Sequence, residues 1–435
     1  MPIFTKKKVD LLYKLPLFVI SLVILVISIF IFLSSYQTKH TRTYSEISTI
    51  QIEKMNTIQL EDYFTNLSKA KGAQYAFKVL EKASLPKITD VHLLGHLIGD
   101  QLYKQKGANG MKDCTDAIRN ACSHSIITNL FYERGEDSIT QISDICKDAP
   151  GQENAYPLCF HGFGHGVLAY TDYNLDRTIN LCKQAAITDP SNGEFPECIG
   201  GAIMELISGG DHDKKIWYKQ RQITLKEADP LYPCFSIISD PDARRMCLSY
   251  ITPYLFEVSG KSSFIPSNEV IQNSFKYCEG IPLSDFKNRQ ACFGGFGKEF
   301  TPLSKNKDIR RIDTLSSEEI NQIYSWCLLT PVTDGQEACV FSSLRSIYWS
   351  GTVDKKYVIE FCNRAPTESL KEYCFKESIN SIKAAKKSFI YNHDFCSKLA
   401  VKYRNNCFQK LISNPIQNYL LSYLTMLFNH NTPQT

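Results

Sequence analysis

The sequence predicts an all-α fold: a solenoid of helical hairpins, each stapled by a disulfide, behind an N-terminal transmembrane helix. Three observations predict it. Sixteen cysteines fall into eight consecutive pairs, the segment after the second cysteine of each pair repeats a common frame, and an unbroken apolar run covers Leu15 to Leu33 behind Lys6, Lys7 and Lys8.

Residues 1–14 read as a basic cytoplasmic tail and 15–35 as a transmembrane signal-anchor. At about 1.5 Å per residue the apolar run matches a hydrocarbon core of about 30 Å. Lysines on its N-terminal side keep that end in the cytoplasm and export the rest, which predicts a single-pass protein of the cell membrane with its bulk extracytoplasmic. Ser34-Ser35-Tyr36-Gln37 makes a poor cleavage site, so a cleaved signal is the lesser reading. Residues 36–70, polar and without cysteine, read as a stalk.

In chain order the pairs are Cys114 with Cys122, Cys146 with Cys159, Cys182 with Cys198, Cys234 with Cys247, Cys278 with Cys292, Cys327 with Cys339, Cys362 with Cys374, and Cys396 with Cys407. An even count at regular spacing with no CxxC points to disulfides in an oxidising compartment rather than zinc ligands or a thioredoxin-like site. Most first cysteines end a helical pattern, as in Ile142-Ser-Asp-Ile-Cys146. Turn formers such as Ala149-Pro150-Gly151 follow, and the second cysteine opens another helix.

Aligned on the second cysteine, the copies read Cys122-Ser-His-Ser-Ile, Cys159-Phe-His-Gly-Phe-Gly-His165, Cys198-Ile-Gly-Gly-Ala-Ile-Met204, Cys292-Phe-Gly-Gly-Phe-Gly-Lys298, Cys339-Val-Phe-Ser-Ser-Leu-Arg345 and Cys374-Phe-Lys-Glu-Ser, and Asp90-Val-His-Leu-Leu-Gly-His96 fits the frame without a cysteine. First cysteines recur after 32, 36, 52, 44, 49, 35 and 34 residues, a period suited to stacked helix pairs. In period and cysteine placement the chain resembles the tetratricopeptide and exported cysteine-rich Sel1-like repeat proteins, over about residues 70 to 412. Their consensus residues are not matched, so the resemblance implies architecture alone. Histidine-bearing repeats are expected over 71–170 and stapled repeats over 171–412. Residues 413–435 read as a cap helix, with Ile416 to Phe428 as its apolar stretch, and a tail.

Five of nine histidines lie in the first copies of one helix: His92, His96, His124, His161 and His165. His92/His96 and His161/His165 are i, i+4 pairs on one helical face. In the frame His92, His124 and His161 share a register, as do His96, Thr128 and His165. Stacking therefore predicts one ridge of imidazoles able to hold a metal ion, zinc or copper first, with haem as another candidate. The glycines Gly95, Gly162, Gly164 and Gly166 suggest close helix approach. The same registers hold Gly200/Met204, Gly294/Lys298 and Phe341/Arg345 in later copies, so packing alone does not demand histidine. Buried structural histidines or a proton switch are the competing readings.

Asp90, Asp100 and Glu205 are the carboxylates that register places near the ridge. The chain has no HExxH, GxSxG, P-loop or Rossmann motif. A net charge of +4, scattered along the chain, gives no basis for nucleic-acid binding. Trp217, Trp326, Trp349, Tyr348 and Phe296 could anchor a partner on a concave face or fill the core. His212 sits in a polar insertion, and His40, His393 and His430 read as surface residues. The functional expectation is a membrane-anchored metal-binding protein with a protein or envelope polymer on its solenoid surface. A metal-dependent envelope enzyme and a pure scaffold are the alternatives.

Overall fold

The hairpin pattern in the sequence becomes a row of helices. The computed structural model describes residues 52–412 apart from 88, 152–154, 187–192, 210–213, 261–263, 312–313, 348–354 and 385–386, together with Leu25, Ile27 and Ser28. The chain divides into two units, Met1–Asn56 with Lys82–Pro86, and Thr57–Glu81 with Lys87–Thr435. In the smaller unit a 3-10 turn spans Ile52–Lys54, and Ser84 Oγ donates to Glu53 Oε2 at 3.1 Å. The cysteines and the histidine frame all belong to the larger unit.

The first five helices are α1 (Thr57–Lys71), α2 (Ala73–Lys82), α3 (Val91–Lys106), α4 (Ala121–Arg134) and α5 (Ile139–Cys146). Next come α6 (Ala155–Tyr170), α7 (Leu175–Ala185), α8 (Glu194–Ser208), α9 (Lys214–Thr224), α10 (Pro241–Tyr250) and α11 (Thr252–Ser259). The chain continues through α12 (Asn268–Glu279), α13 (Phe286–Ser304), α14 (Ser317–Cys327) and α15 (Thr333–Ile347). It ends with α16 (Lys355–Asn363), α17 (Glu368–Ala384), α18 (Phe389–Lys398) and α19 (Val401–Leu411). Among the described residues there is no strand. Polar caps start several helices: Asn174 on α7, Ser267 on α12, Ser388 on α18, and a Ser316/Glu319 capping box on α14.

Eight disulfides join the consecutive cysteines as the spacing predicts, with Cα separations of 5.4 to 5.8 Å. In six hairpins the staple ties the end of the first helix to the first turns of the second. Cys146 bonds to Cys159 across α5 and α6, Cys182 to Cys198 across α7 and α8, and Cys278 to Cys292 across α12 and α13. Cys327 bonds to Cys339 across α14 and α15, Cys362 to Cys374 across α16 and α17, and Cys396 to Cys407 across α18 and α19. Two units depart from the hairpin plan. A 3-10 segment, Gly107–Asp113, precedes Cys114, which bonds to Cys122 on α4. A single π-type turn, Pro233–Ile237, carries Cys234, which bonds to Cys247 on α10. Closing loops of this length constrains the unfolded chain by roughly 3 kcal/mol each in the chain-entropy model.

The second helices form a continuous row in which α3, α4, α6, α8, α10, α13, α15, α17 and α19 each pack on the next. Phenylalanines fill it, with Phe131, Phe160, Phe163, Phe293, Phe296 and Phe300 all fully buried. The row curls back on itself. Arg119 Nη2 donates to Ser346 Oγ at 2.6 Å, and Arg310 Nη1 donates to the Leu80 carbonyl at 2.9 Å. The curl encloses a cavity.

One expectation changes, and others fall outside the described residues. The distal part of the expected stalk is helix α1, whose Leu60 and Phe64 are buried as it packs on α3, because an amphipathic helix must cover its apolar face. Trp326 and Phe296 are core residues, and Trp217 lies against the end of α8 with Nε1 donating to the Leu206 carbonyl. Trp349 and Tyr348 fall outside the described residues. So do the cap helix at 413–435 and all of the 15–35 span except Leu25, Ile27 and Ser28, which are helical. Among the described residues no helix is long and apolar enough to cross a membrane.

Candidate metal centre

Helices α3, α4 and α6 carry the five histidines and lie side by side because small residues line their contacts. A Cβ at Gly162 would stand 2.4 Å from the Cα of His124, so only glycine admits that approach. The equal register of the copies then turns every imidazole to the same side. Ring centroids are 4.6 Å apart for His92/His96, 5.8 Å for His92/His124, 5.6 Å for His96/His124 and 5.3 Å for His124/His161. His165 joins the group at 5.8 Å from His96 and 5.2 Å from His161. One nitrogen each from His92, His96 and His124 lies within 4.8 Å of the others.

Hydrogen bonds fix the tautomers. His92 Nδ1 is 3.0 Å from the Ile118 carbonyl, which can only accept, so Nδ1 carries the proton. Ser125 Oγ donates to the His96 carbonyl at 2.8 Å and is left to accept from His96 Nδ1 at 3.1 Å. In the neutral rings both Nε2 atoms are then bare lone pairs, yet they face each other at 3.1 Å. Two acceptors so close repel unless a proton or a cation lies between them. Tetrahedral zinc with Zn–N of about 2.0–2.1 Å would separate two ligand nitrogens by about 3.3 Å.

A proton is disfavoured. Burial pushes the His92 pKa down to about 4, against the pull of Asp90 and the Ile118 carbonyl. His96, His124 and His161 are held well below the ordinary imidazole range by burial first and by neighbouring imidazoles second. At neutral pH these rings are uncharged and each offers a lone pair, the form a metal requires. Neither ring nitrogen of His124 has a hydrogen-bond partner although the residue is 1% exposed, and His165 Nε2 is likewise buried without one. His165 Nδ1 donates to Glu205 Oε2 at 3.0 Å, and Tyr173 donates to the other oxygen of Glu205 at 3.2 Å. In metalloproteins a carboxylate so placed orients a ligand histidine.

The donor set is nitrogen only, since all sixteen cysteines are in disulfides. Among the carboxylates proposed from register, Glu205 reaches the cluster. Asp90 caps α3 by accepting from the Leu93 N–H, and Asp100 accepts from Asn129 at 2.6 Å, away from the rings. His393 is exposed beside Phe389 and Phe408, and His40, His212 and His430 lie outside the described residues.

A cavity of about 300 Å³ opens beside the cluster, lined by His92, His124 and His161 on one side and by Arg119, Tyr250, Lys298 and Glu299 on another. The Tyr250 hydroxyl is 3.4 Å, and Glu197 Oε2 3.5 Å, from His161 Nδ1. A quarter of the Glu197 side chain is exposed, yet burial of its carboxyl raises its pKa to about 7 against the opposing charges of Arg345 and Lys298. Sequence reasoning missed this wall because it depends on the row curling back. One signal was available, since Lys298 stands in the His165 register. The structure adds backbone strain at this wall: Ile118, Arg119 and Asn120 have φ of 58°, 52° and 61°, a left-handed run that costs roughly 1–3 kcal/mol per non-glycine residue. That turn aims the Ile118 carbonyl at His92 and Arg119 into the cavity.

Compared with protein-family models, curated proteins and solved structures, the chain matches none of them.

Proposed function

We propose that this chain is a membrane-anchored extracytoplasmic metalloprotein. His92, His96 and His124 hold a zinc or copper ion, His165 and His161 stand ready as further donors, and the ion meets a small ligand in the adjoining cavity. The observation that carries the reading is the pair of bare Nε2 atoms of His92 and His96 at 3.1 Å, each locked in that tautomer by its own outer partner. An all-imidazole set suits zinc, copper, iron or nickel, and three ligands with an open position suit catalytic zinc. Haem fits less well, because its axial imidazoles must stand on opposite faces of a macrocycle. The anchor rests on the apolar run and its lysines, and eight disulfides accord with export.

The test is elemental analysis of the untagged full-length protein, expressed through an oxidising compartment and purified in detergent, beside a His96→Ala/His124→Ala variant. About one zinc or copper per chain, lost in the variant while the disulfides and helix content persist, is the expected result. Absence of metal from the wild type even after reloading would overturn the reading. The anchor is checked separately: protease added outside intact cells should remove the domain, and deletion of residues 1–35 should leave it in the cytosol.

A further inference from the structure

We propose that the cavity beside the histidine cluster binds a small amphiphilic acid, its carboxylate at the histidine end and its apolar body running down the helix row. This rests on the metal reading for one of the head group's contacts and on the cavity walls for the rest.

The walls change character with depth. In the repeat frame, the level two residues after the second cysteine holds His124 and His161, with His92 in the same register. One turn deeper, α8 and α13 present Met204 and Lys298. A further turn brings Ile207 on α8 and Pro302 and Leu303 on α13, with Phe256 and Val270 completing a mostly apolar end whose polar members are Ser208, Glu257 and Lys307. Such a gradient matches a molecule with one polar terminus. The volume, about 300 Å³, is at the small end of ligand pockets.

The head is selected by charge. Neutral imidazoles leave the charge of a divalent ion uncompensated. Around them stand Arg119, half-buried and with its pKa lowered to about 10 by desolvation, and Lys298, whose side chain is 16% exposed. The carboxylates near the head cancel only part of this charge: Asp90 pulls on His92, and Glu197, 3.5 Å from His161, has its pKa raised to about 7 by burial. Asp90 is exposed and caps α3, and Glu257 pairs with Arg221 at 2.5 Å. Glu299 alone faces both cations, accepting from Lys298 Nζ at 2.5 Å. Lys307 adds a third cation farther along, over the Phe264 ring. An anionic oxygen head is therefore favoured over a neutral or cationic one. The strained turn at Ile118–Asn120 has a role in this arrangement, since it delivers Arg119 to the head while its own carbonyl fixes His92.

The experiment is calorimetric titration of the metal-loaded full-length protein in detergent with octanoate, 1-octanol and acetate, and of a Lys298→Met variant and a Met204→Trp variant with octanoate. Octanoate should bind at least about tenfold tighter than octanol, which lacks the charge, and affinity should fall about tenfold for each two methylenes removed. Lys298→Met should lose about tenfold in octanoate affinity, and Met204→Trp, which fills the second level, should abolish binding. Both variants should keep their metal, and Met204→Trp its unfolding midpoint, while Lys298→Met loses some stability because Glu299 is left unpaired. Octanoate and octanol binding equally, or octanoate failing to bind a protein that carries its full metal, would overturn the acid proposal and leave the metal reading standing. Loss of metal from the wild type is detected by the elemental assay and is a failure of the other reading.

Discussion

The α6/α8 contact and the α13/α15 contact use the same packing device and carry different chemistry. A Cβ at Gly201 on α8 would fall 1.9 Å from the His161 carbonyl, and one at Gly297 on α13 would fall 1.9 Å from the Cys339 carbonyl. Both interfaces thus bring backbones together at a distance only glycine allows. Yet α6 presents His161 and His165 inward, while α13 presents Gly294 and Lys298 at the same two registers. The comparison teaches that this helix contact requires glycine and is indifferent to histidine. On the proposed reading, histidine at α3, α4 and α6 answers to a bound metal ion.

The largest expected effect breaks the contact itself. Gly201→Ala should destabilise the protein by about 3 kcal/mol, the upper end for overpacking, and should release the metal as α6 and α8 separate. Gly297→Ala should cost as much and retain the metal. Urea unfolding with metal content as the second readout checks both, and equal metal loss from the two variants would erase the distinction between the regions.

Disulfides offer a version with a comparable stability cost and a milder effect on the metal. Removing Cys146–Cys159 as a double alanine variant should cost roughly 3 kcal/mol in the chain-entropy account and weaken metal binding, because that staple sets the start of α6. Removing Cys396–Cys407, which closes the α18/α19 hairpin, should cost a similar amount with metal affinity unchanged. Denaturation midpoints and competitive chelator titration measure the two effects separately.

Between pH 7 and 5 acid acts chiefly on the histidine region. The folded-state pKa of His92 is about 4, and those of His96, His124 and His161 also lie well below 6.5. The unfolded chain takes up protons that the folded chain refuses, so their contribution is whole above 6.5 and is lost as pH falls toward the folded values. Each unit below 6.5 should cost on the order of 1 kcal/mol per imidazole. The chelated wild type should therefore lose stability between pH 7 and 5 more steeply than His96→Phe/His124→Phe. Parallel curves would mean the rings are solvated.

What the sequence made legible follows from where its signals are local. Cysteine spacing, the turn formers between paired cysteines and the shared frame after the second cysteine all act within a hairpin, so the helices and the convergence of His92, His96, His124, His161 and His165 could be read in advance. Arg119, Glu197, Tyr250, Lys298 and Glu299 could not. Their meeting depends on the accumulated rotation of successive repeats, a small angle per copy that no single copy encodes. Helix α1 escapes the pattern for a different reason: Leu60 and Phe64 are sparse in a polar stretch, and only the face of α3 gives them something to cover.

The smallest predicted effect tests whether tautomer control matters as well as packing. Ser125 Oγ donates to one backbone carbonyl and accepts from His96 Nδ1, while a buried serine of the later region one position on in the frame, Ser343, meets the carbonyls of Gly297 and Cys339 with its Oγ at 3.0 Å each and no imidazole. Ser125→Ala and Ser343→Ala should each cost about 1 kcal/mol of stability, the usual worth of a buried hydroxyl contact. Only Ser125→Ala should also weaken metal binding, by about 10- to 100-fold, as loss of an outer partner typically does. With Oγ gone, His96 is free to place its proton on Nε2, where it competes with the ion and also relieves the clash with His92 Nε2. A Ser125→Ala protein that binds metal as tightly as Ser343→Ala would show that ring position suffices and that the second shell contributes nothing beyond packing.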